Sequence, residues 1–555
     1  MNLRMPVGIE DFKEARESYY FVDKTDFICR LIDGHSKVML FTRPRRFGKT
    51  LTMSMLEYFF SIDKATESKG LFAGMAVERT GAAYMDHQGR YPVIFISLKG
   101  VQNSTWTALY GAFRLLVQRE FQKHRYLLDS DLLNEEDKVL CRKFISLSAS
   151  EEEYQISLLS LSEYLCRYFG RKPIILVDEY DAPIQCAYEH GFYDEAISYF
   201  RVWFNNTLKT NDFLNFAVMT GVLRIAKESI FSGLNNLAVY SVLSNKYSDV
   251  FGFSADEVQQ IADDTGIDDK FAEMKKWYDG YRFGGSEIYN PWSIINYIDN
   301  DCMPMPYWVH TSGNSILHEL LPQADYLRIR SLQGLLDDRP IAVSLNENVI
   351  YGQLSREQSA LYTLLLMTGY LTVQSSSSTS YNRYLLRIPN EEIKQVYSIE
   401  ILNTLAEGID QDSFDGLFDA LLAGQKQDFE YRLQQILLHF VSAYDAANKE
   451  SFYHGFMLGM TALFLNKQYT IESNRESGCG RFDIALFPKD IKATGVIMEF
   501  KTASSEEELQ LRAREALTQI GSKNYTAEFH KRGIDKVWLY GISFWGKHVN
   551  VAMSE

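Results

Sequence analysis

Cysteine is scarce. The 555-residue chain has six, at Cys29, Cys141, Cys166, Cys186, Cys302 and Cys479, and no two form a C-x-x-C pair. This spacing argues against a zinc site and against a secreted disulfide framework. Long apolar runs are also missing. No stretch approaches the roughly 18 uninterrupted apolar residues that a membrane span needs, and the opening MNLRMPVGIEDF has no apolar signal core. The expectation is a soluble protein of a reducing cytoplasm. A basic surplus is absent as well: 57 Lys and Arg face 72 Asp and Glu, for a net charge of −15. Constitutive coating of duplex nucleic acid rests on phosphate neutralisation. A nucleic-acid substrate would therefore need a groove, a metal or a triggered state to overcome the overall repulsion. Core-forming material is plentiful. The chain is 46% apolar and 14% aromatic, which argues against global disorder, and it is long enough for about three domains.

One further absence falls inside the most informative stretch, KVMLFTRPRRFGKTLTMSMLEYFFS at 37–61. An apolar strand over 37–42, a basic loop over 43–47, Gly48-Lys49-Thr50 and an amphipathic helix over 51–60 follow the layout of a phosphate-binding P-loop. In that layout loop amides and the helix N-terminus face phosphate oxygens, Lys49 reaches the β/γ-phosphates and Thr50 ligates Mg²⁺. Arg45, Arg46, Phe47, Gly48, Lys49, Thr50 and Leu51 are the candidate nucleotide contacts. The general signature needs Gly at position 43, and Arg43 stands there. A start glycine permits unusual backbone angles, so the loop must take another path. Gly-Lys-Thr by itself could equally be a helix start capped by a Thr hydroxyl.

Around it, 19–22 reads as a short extended piece and 24–32 as a helix. Residues 91–98 (YPVIFISL) form a second strand, and helices are expected over 106–123 and 154–168. KPIILVDEYD at 172–181 is a β-rich run ending in acids. Asp178 would hold Mg²⁺ through water, and Glu179 would polarise the water that attacks the γ-phosphate. Taken alone the run could be a buried strand with two surface acids at its exit. NFAVMT at 215–220 is a fourth strand. Alternating strands and helices predict a parallel, helix-covered sheet with its ligand at the carboxyl ends of the strands.

The middle of the chain is less explicit. Residues 236–345 carry the aromatic, glycine-rich WYDGYRFGG and YNPWSIINYI, in which Tyr278, Tyr281 and Trp292 are expected to pack rather than stack on bases. A helix over 355–368, strands over 369–374 and 382–389 around SSSSTS, and a helix over 391–397 suggest a winged-helix-like module, either a DNA or interdomain contact or, favoured by the scarcity of basic residues in the hairpin, a packing adaptor. Residues 412–447 are charged and helical. From 452 onward the expected order is helix (452–465), strand (469–474), turn, strand (481–487), strand (495–501), helix (506–522), strand (536–545). Glu499 and Lys501 share one strand face, and Asp483 can meet them from the neighbouring strand. Two carboxylates and a lysine suit metal-assisted phosphodiester hydrolysis, with the carboxylates on Mg²⁺ and the lysine on the attacking water. E-x-K alone would be an ordinary solvent-face pair.

VDKT, TRPRRFGKTL, ILVDEYDAPI, TGVLRIAKESIFSGLNNL and WYDGYRFGGSEIYNPWSIINY together resemble the AAA-ATPase-like family over most of residues 5–300. Proteins of that family commonly end in a PD-(D/E)XK nuclease domain, and this family's own loop begins R-P-R-R-F-G-K. The resemblance implies ATP bound and hydrolysed by Lys49, Thr50, Asp178 and Glu179. In ATPases of this type Thr220 fits a γ-phosphate sensor, and Arg224 is either a charge supplied to the transition state or a surface residue. The C-terminal stretch resembles the PD-(D/E)XK superfamily. Asp483, Glu499 and Lys501 match its catalytic motif, and Gln519 with Tyr525 resembles its Gln…Tyr pair. His454 stands where the superfamily's first helix often offers an acid; it is a candidate metal ligand or a core histidine, and Glu476 could also reach the site.

The expected architecture is an AAA-like ATPase at 1–235, a helical lid or connector at 236–345, a winged-helix-like and helical spacer at 346–450 and a restriction-endonuclease-like α/β domain at 451–555. The expected function is ATP turnover coupled to Mg²⁺-dependent cleavage of nucleic acid, DNA ahead of RNA, in defence against or processing of foreign or mobile DNA. A homo-oligomer is admitted by the resemblance. The alternatives are a nucleotide-switched regulator, or a protein-remodelling ATPase whose C-terminal domain binds without cutting.

Overall fold

A computed structural model describes the chain except residues 1–3, 225–230, 232–235, 309–334, 336–337, 348–357, 375–382, 398–410, 442–452, 455, 459, 462–467, 474–475, 478–479, 524 and 555. The chain divides into two compact units, one of residues 1–310 with 340–392, the other of residues 311–339 with 393–555. No helix among the described residues is long and apolar enough to cross a membrane.

The first unit is built on five parallel strands: β1 (Val38–Thr42), β2 (Val93–Ser97), β3 (Ile174–Asp178), β4 (Ala217–Gly221) and β5 (Leu237–Tyr240), in the order β2-β3-β4-β1-β5. The central strands β1, β3 and β4 are buried along their whole lengths, whereas β2 and β5 at the edges are partly exposed. Burial on both faces is why the central strands read as unbroken apolar runs instead of alternating ones. β4 is inserted between β1 and β3, with Phe41 opposite Thr220 on one side and Ile175 opposite Ala217 on the other. The carboxyl ends carrying Thr42, Asp178 and Gly221 therefore lie side by side.

Helices form where capping residues precede apolar periodicity. Thr105 caps Trp106–Lys123, as the sequence predicts. The single helix expected over 154–168 is two: a capping box of Ser150 and Glu153 starts Glu151–Gln155, the chain turns at Ile156, and Ser157–Phe169 runs to Gly170 in a left-handed conformation. The piece at 19–22 joins no sheet. The aromatic segment forms a hairpin of β6 (Tyr281–Phe283) and β7 (Ser286–Ile288), followed by the helix Pro291–Asp299. β8 (Ile341–Ser344), β9 (Thr372–Val373) and β10 (Arg383–Arg387) make an antiparallel sheet in the order β8-β10-β9. Sequence reading anticipates the β9–β10 pair but not β8. The segment that carries this sheet is stitched to the aromatic hairpin region of the same unit: Arg282 N–H donates to Thr372 Oγ1 (2.8 Å), and Asn390 Nδ2 donates to the Asp279 carbonyl (2.7 Å). Those bonds explain why 340–392 compacts with the first unit. The SSSSTS turn lies outside the described residues.

The second unit holds the helices Gln411–Leu422 and Lys426–Val441 and a five-stranded mixed sheet. A two-strand ribbon of β12 (Glu476–Ser477) and β13 (Gly480–Arg481) precedes the site strands. The sheet is β11 (Tyr469–Ser473), β14 (Ile484–Pro488), β15 (Gly495–Thr502), β16 (Val537–Trp545) and β17 (His548–Ser554), paired in that order. Only β15 and β16 run parallel. The expected strand over 481–487 is interrupted at Phe482 and Asp483. β17 is not anticipated by the sequence reading, which ends at the apolar run of β16. The described residues between 453 and 461 are helical, in agreement with the expected helix.

Candidate active sites

In the first unit, β1 runs into the loop 43–48 and the helix Lys49–Phe60. The left-handed turns fall at Arg46 (φ 69°) and Gly48 (φ 80°), not at position 43. Arg43 is fully buried and serves as a bolt beneath the loop. Its guanidinium donates to the carbonyls of Thr42 (2.9 Å), Tyr240 (2.8 Å) and Tyr247 (2.9 Å), and it lies over the rings of Phe283 (5.1 Å) and Phe251 (5.7 Å). Burial pulls its pKa down to about 9. The absent glycine is thus replaced by a side chain that fixes the loop from below.

Lys49 is nearly buried in the loop's concavity. Its Nζ donates to the carbonyls of Arg43 (3.0 Å) and Pro44 (2.7 Å). Burial lowers its pKa to about 8, against the upward pull of Glu179, Asp178 and Asp181. Phe47 packs edge-on against Tyr281 (5.0 Å) and beside Phe283 (5.1 Å). Arg46 lies over the Trp292 ring (4.2 Å), and Arg45 donates to Gln185 Oε1 (3.2 Å). Tyr278 and Tyr281 are buried packing residues, as expected, and Trp292 supports Arg46. Leu51 is half-buried in the first turn of the helix.

Across the sheet ends, Asp178 joins three elements. Thr50 Oγ1 donates to its Oδ2 (2.9 Å), and the Thr220 hydroxyl donates to its Oδ1. The Glu179 N–H donates to Thr220 Oγ1 (3.3 Å). Glu179 itself is left-handed (φ 50°), a conformation that costs a non-glycine residue about 1–3 kcal/mol and clusters at functional positions. Burial raises its carboxyl pKa, and Lys49 opposes the rise. Asp181, which sequence reading passed over, is buried and accepts from the N–H groups of Val222 (2.9 Å) and Leu223 (2.8 Å). Tyr180 OH donates to the Leu223 carbonyl (2.7 Å). A side chain at Gly221 would meet Tyr180 at 2.6 Å and Asp181 Oδ1 at 2.8 Å. The DEYD and TGVL turns therefore lock together, and the second acid in DEYD was the available signal. Arg224 follows this lock and is half-buried; 225–230 lie outside the described residues.

In the second unit, β14 separates from β15 beyond the Ile484–Met498 pair. There Asp483 takes the place of the ladder: its Oδ2 accepts from the Phe500 N–H (2.7 Å). The carboxylate is thereby held between Glu499 and Lys501, whose side chains share a face, while Phe500 enters the opposite core. Gln519 Nε2 donates to Glu499 Oε1. Tyr525 is buried edge-on to Phe482 (5.9 Å); burial raises its pKa, as does Glu499, and Gln519 opposes. The Gln519 and Tyr525 pair thus meets at Glu499. Burial also raises the Asp483 carboxyl, while His454, the Phe500 N–H and Lys501 pull it back.

His454 Nε2 sits 3.0 Å from the main-chain oxygen of Asp483, and its ring is edge-on to Phe500 at 5.9 Å. The nitrogen that donates to this carbonyl anchors the ring beside Asp483 and is itself closed to a metal, so His454 could ligate one only through Nδ1. Glu476 is on β12 opposite Arg481, and its side chain is outside the described residues. Gly541, opposite Glu499 in the register, was also passed over. A Cβ there would lie 2.2 Å from the Ala513 carbonyl and 2.4 Å from the Leu517 nitrogen, so its bareness lets the helix Leu509–Ser522 bring Gln519 to Glu499. A glycine inside an apolar strand was the signal.

Among the described residues, no three His, Cys, Asp or Glu side chains converge as a metal cage. Each site instead offers one or two carboxylates, joined in the first unit by a hydroxyl. Oxygen donors of this kind, few in number and shared with substrate and water, suit Mg²⁺.

A parallel sheet with a phosphate-type loop, acids on the strand two places away and a hydroxyl between them defines a P-loop ATPase architecture, here followed by a nuclease-like α/β unit. Comparison with known proteins agrees. Residues 6–231 match the family model described as Predicted AAA-ATPase, and residues 448–554 match the PD-(D/E)XK nuclease superfamily. The chain therefore joins an AAA-ATPase-like domain to a PD-(D/E)XK nuclease-superfamily domain. It is also similar to a protein of Azotobacter chroococcum mcd 1 described as "Uncharacterized protein in vnfD 5'region", 26% identical over 553 residues, which span 98% of this chain and 96% of the relative.

Proposed function

We propose that the chain binds and hydrolyses ATP in its first unit and cuts phosphodiester bonds of nucleic acid, DNA ahead of RNA, in its second. The observation that carries this reading is the Asp483 carboxylate bonded to the Phe500 N–H, because it gathers Asp483, Glu499 and Lys501 at one strand edge. In the ATPase unit, Lys49 and the amides of the loop and helix start hold phosphate oxygens, Glu179 orients the attacking water, and Thr220 reports on the γ-phosphate through Asp178. In the nuclease unit, Gln519 fixes the rotamer of Glu499, His454 fixes Asp483, and Lys501 holds or deprotonates the attacking water. Mg²⁺, held by Thr50 and Asp178 in one unit and by Asp483 and Glu499 in the other, would supply neutralisation of phosphate charge and a more acidic water. The strained backbone of Glu179 supports a functional role for that residue. The setting we infer is defence against, or processing of, foreign or mobile DNA in the cytoplasm, in a chain whose ATPase module extends to 235 with connector modules to 450.

The test is Mg²⁺-dependent degradation of DNA and RNA, with and without ATP, for wild type, Lys49→Ala, Glu179→Gln and Lys501→Ala. Lys501→Ala should lose at least about a hundredfold in cleavage while keeping ATP turnover. Glu179→Gln should bind ATP but turn it over at least about a hundredfold more slowly. If wild type hydrolyses ATP and cleaves no nucleic acid, the nuclease reading fails, and a nucleotide-switched binding protein takes its place.

A further inference from the structure

The chain leaves the first unit twice, after His310 and after Glu392. Both exits are tied to the nucleotide loop by contacts that lie wholly within that unit. The first tie is Trp308, 5% exposed, whose indole N–H donates to the Arg45 carbonyl (3.4 Å). Its main-chain N–H donates to Glu392 Oε1 (2.9 Å). Glu392 is fully buried, the last residue of the unit before the second exit, and accepts from the Ser293 hydroxyl (2.9 and 2.8 Å). The second tie is Trp292. Its ring carries the Arg46 guanidinium, and its indole N–H donates to the Tyr307 carbonyl (3.1 Å). A third contact comes from 369–370: Gly369 lets the backbone close on Pro44, where a Cβ would lie at 2.9 Å, and Tyr370 packs edge-on to Trp308 at 4.9 Å. Three consecutive loop residues, Pro44, Arg45 and Arg46, are thus each coupled to the segments that end at the exits. A surface loop would not need a buried carboxylate to hold its neighbour's main chain. Burying one is expensive unless its bonds are satisfied, and here the bonds are made to the residue that touches the loop.

We propose that Trp308 is a positioning residue for the nucleotide loop, tying the Arg45 carbonyl to both exits so that the loop's shape and the exits change together when nucleotide binds. This rests on reading 43–48 as a nucleotide site, and it makes the two exits themselves respond to that site. Loading the loop draws the Lys49 ammonium from the Arg43 and Pro44 carbonyls towards phosphate. The neighbouring Arg45 carbonyl then shifts, and Trp308 with it.

The test uses the full chain and a non-hydrolysable ATP analogue. Affinity is read by titration, and exit segments 303–308 and 385–393 by amide hydrogen exchange. Wild type should bind the analogue and slow exchange in both segments. Trp308→Phe keeps the ring against Tyr370 but removes the N–H. It should weaken binding by about threefold to tenfold and, at saturating analogue, abolish the response of 385–393. Glu392→Ala, which leaves the Trp308 N–H without its acceptor, should abolish it too and serves if the tryptophan variant does not fold. Binding by wild type with no change in exchange at 303–308 or 385–393, or an unchanged response in folded variants, overturns the proposal. Absence of analogue binding by wild type sinks the nucleotide reading itself, and the proposal with it.

Discussion

Arg43 occupies the position where a glycine is expected, and its side chain has become structural. Arg43→Gly would restore the general P-loop signature but take the guanidinium from three carbonyls and leave a cavity beneath the loop. We expect a loss of about 3–5 kcal/mol, read as a lower denaturation midpoint with an unchanged denaturant slope; equal or greater stability would show that the bolt is dispensable. Lys49 makes a pH-dependent prediction. Its pKa in the folded, unliganded chain is about 8, below the ordinary lysine value, because burial disfavours the ammonium. Phosphate favours the charged form, so binding takes up a proton above that pH. ATP affinity should be flat below pH 8 and fall by about tenfold per unit above it. The same depression makes the unliganded protein gain stability from this group as pH rises from about 8 towards the unfolded value, since the unfolded state then binds more protons. Calorimetric titration in two buffers of different ionisation enthalpy reports the proton uptake; none at pH 9 would contradict the burial argument. That Lys49, Thr50, Asp178 and Glu179 come together at the strand ends was legible, because their types and spacing are local signals. The Arg43 bolt was not, since its acceptors at Tyr240 and Tyr247 are some 200 residues away.

At the scale of elements, the buried parallel strands and the helix Trp106–Lys123 were readable from apolar runs and caps. β17 was missed because its alternation, His548 to Ser554, comes after a stronger apolar strand with only Gly546 and Lys547 between, and Gly546 supplies the left-handed turn that joins them. The break at Phe482–Asp483 was missed for a different reason. A strand pattern continues through it, and only the non-local bond to Phe500 shows that the carboxylate has replaced the ladder. Gly541 gives the prediction at this scale. Gly541→Ala drives a methyl into the backbone of the helix Leu509–Ser522, which carries Gln519, at a cost of about 1–3 kcal/mol. Nucleic-acid cleavage should drop by at least about tenfold while ATP turnover stays at the wild-type rate. Cleavage at the wild-type rate with the fold intact would mean that Gln519 does not depend on this close approach.

For the whole molecule, the motif order announced an ATPase followed by a nuclease-type domain, but not that the first unit is discontinuous in sequence. Its later piece, 340–392, supplies Gly369 against Pro44 of the loop and Tyr370 and Glu392 against Trp308. A chain ending at residue 310 should therefore fail to bind ATP, whereas one ending at 392 should bind it. A fluorescent ATP analogue separates the two, and equal binding by both would show that the later piece is not needed.

This discontinuity has a consequence during synthesis. When Trp308 emerges from the ribosome, the carboxylate that will hold its amide has not been made, and the first part of the intervening stretch belongs to the other unit. At about 5–20 residues per second the wait is roughly 4 to 17 seconds. Through that interval the seat of Trp308 lacks Glu392, and for most of it Tyr370 as well, so the closing of the first unit around loop 43–48 is timed by translation, and slow codons or a bound chaperone between 310 and 392 would set how much of the newborn chain reaches its closed form.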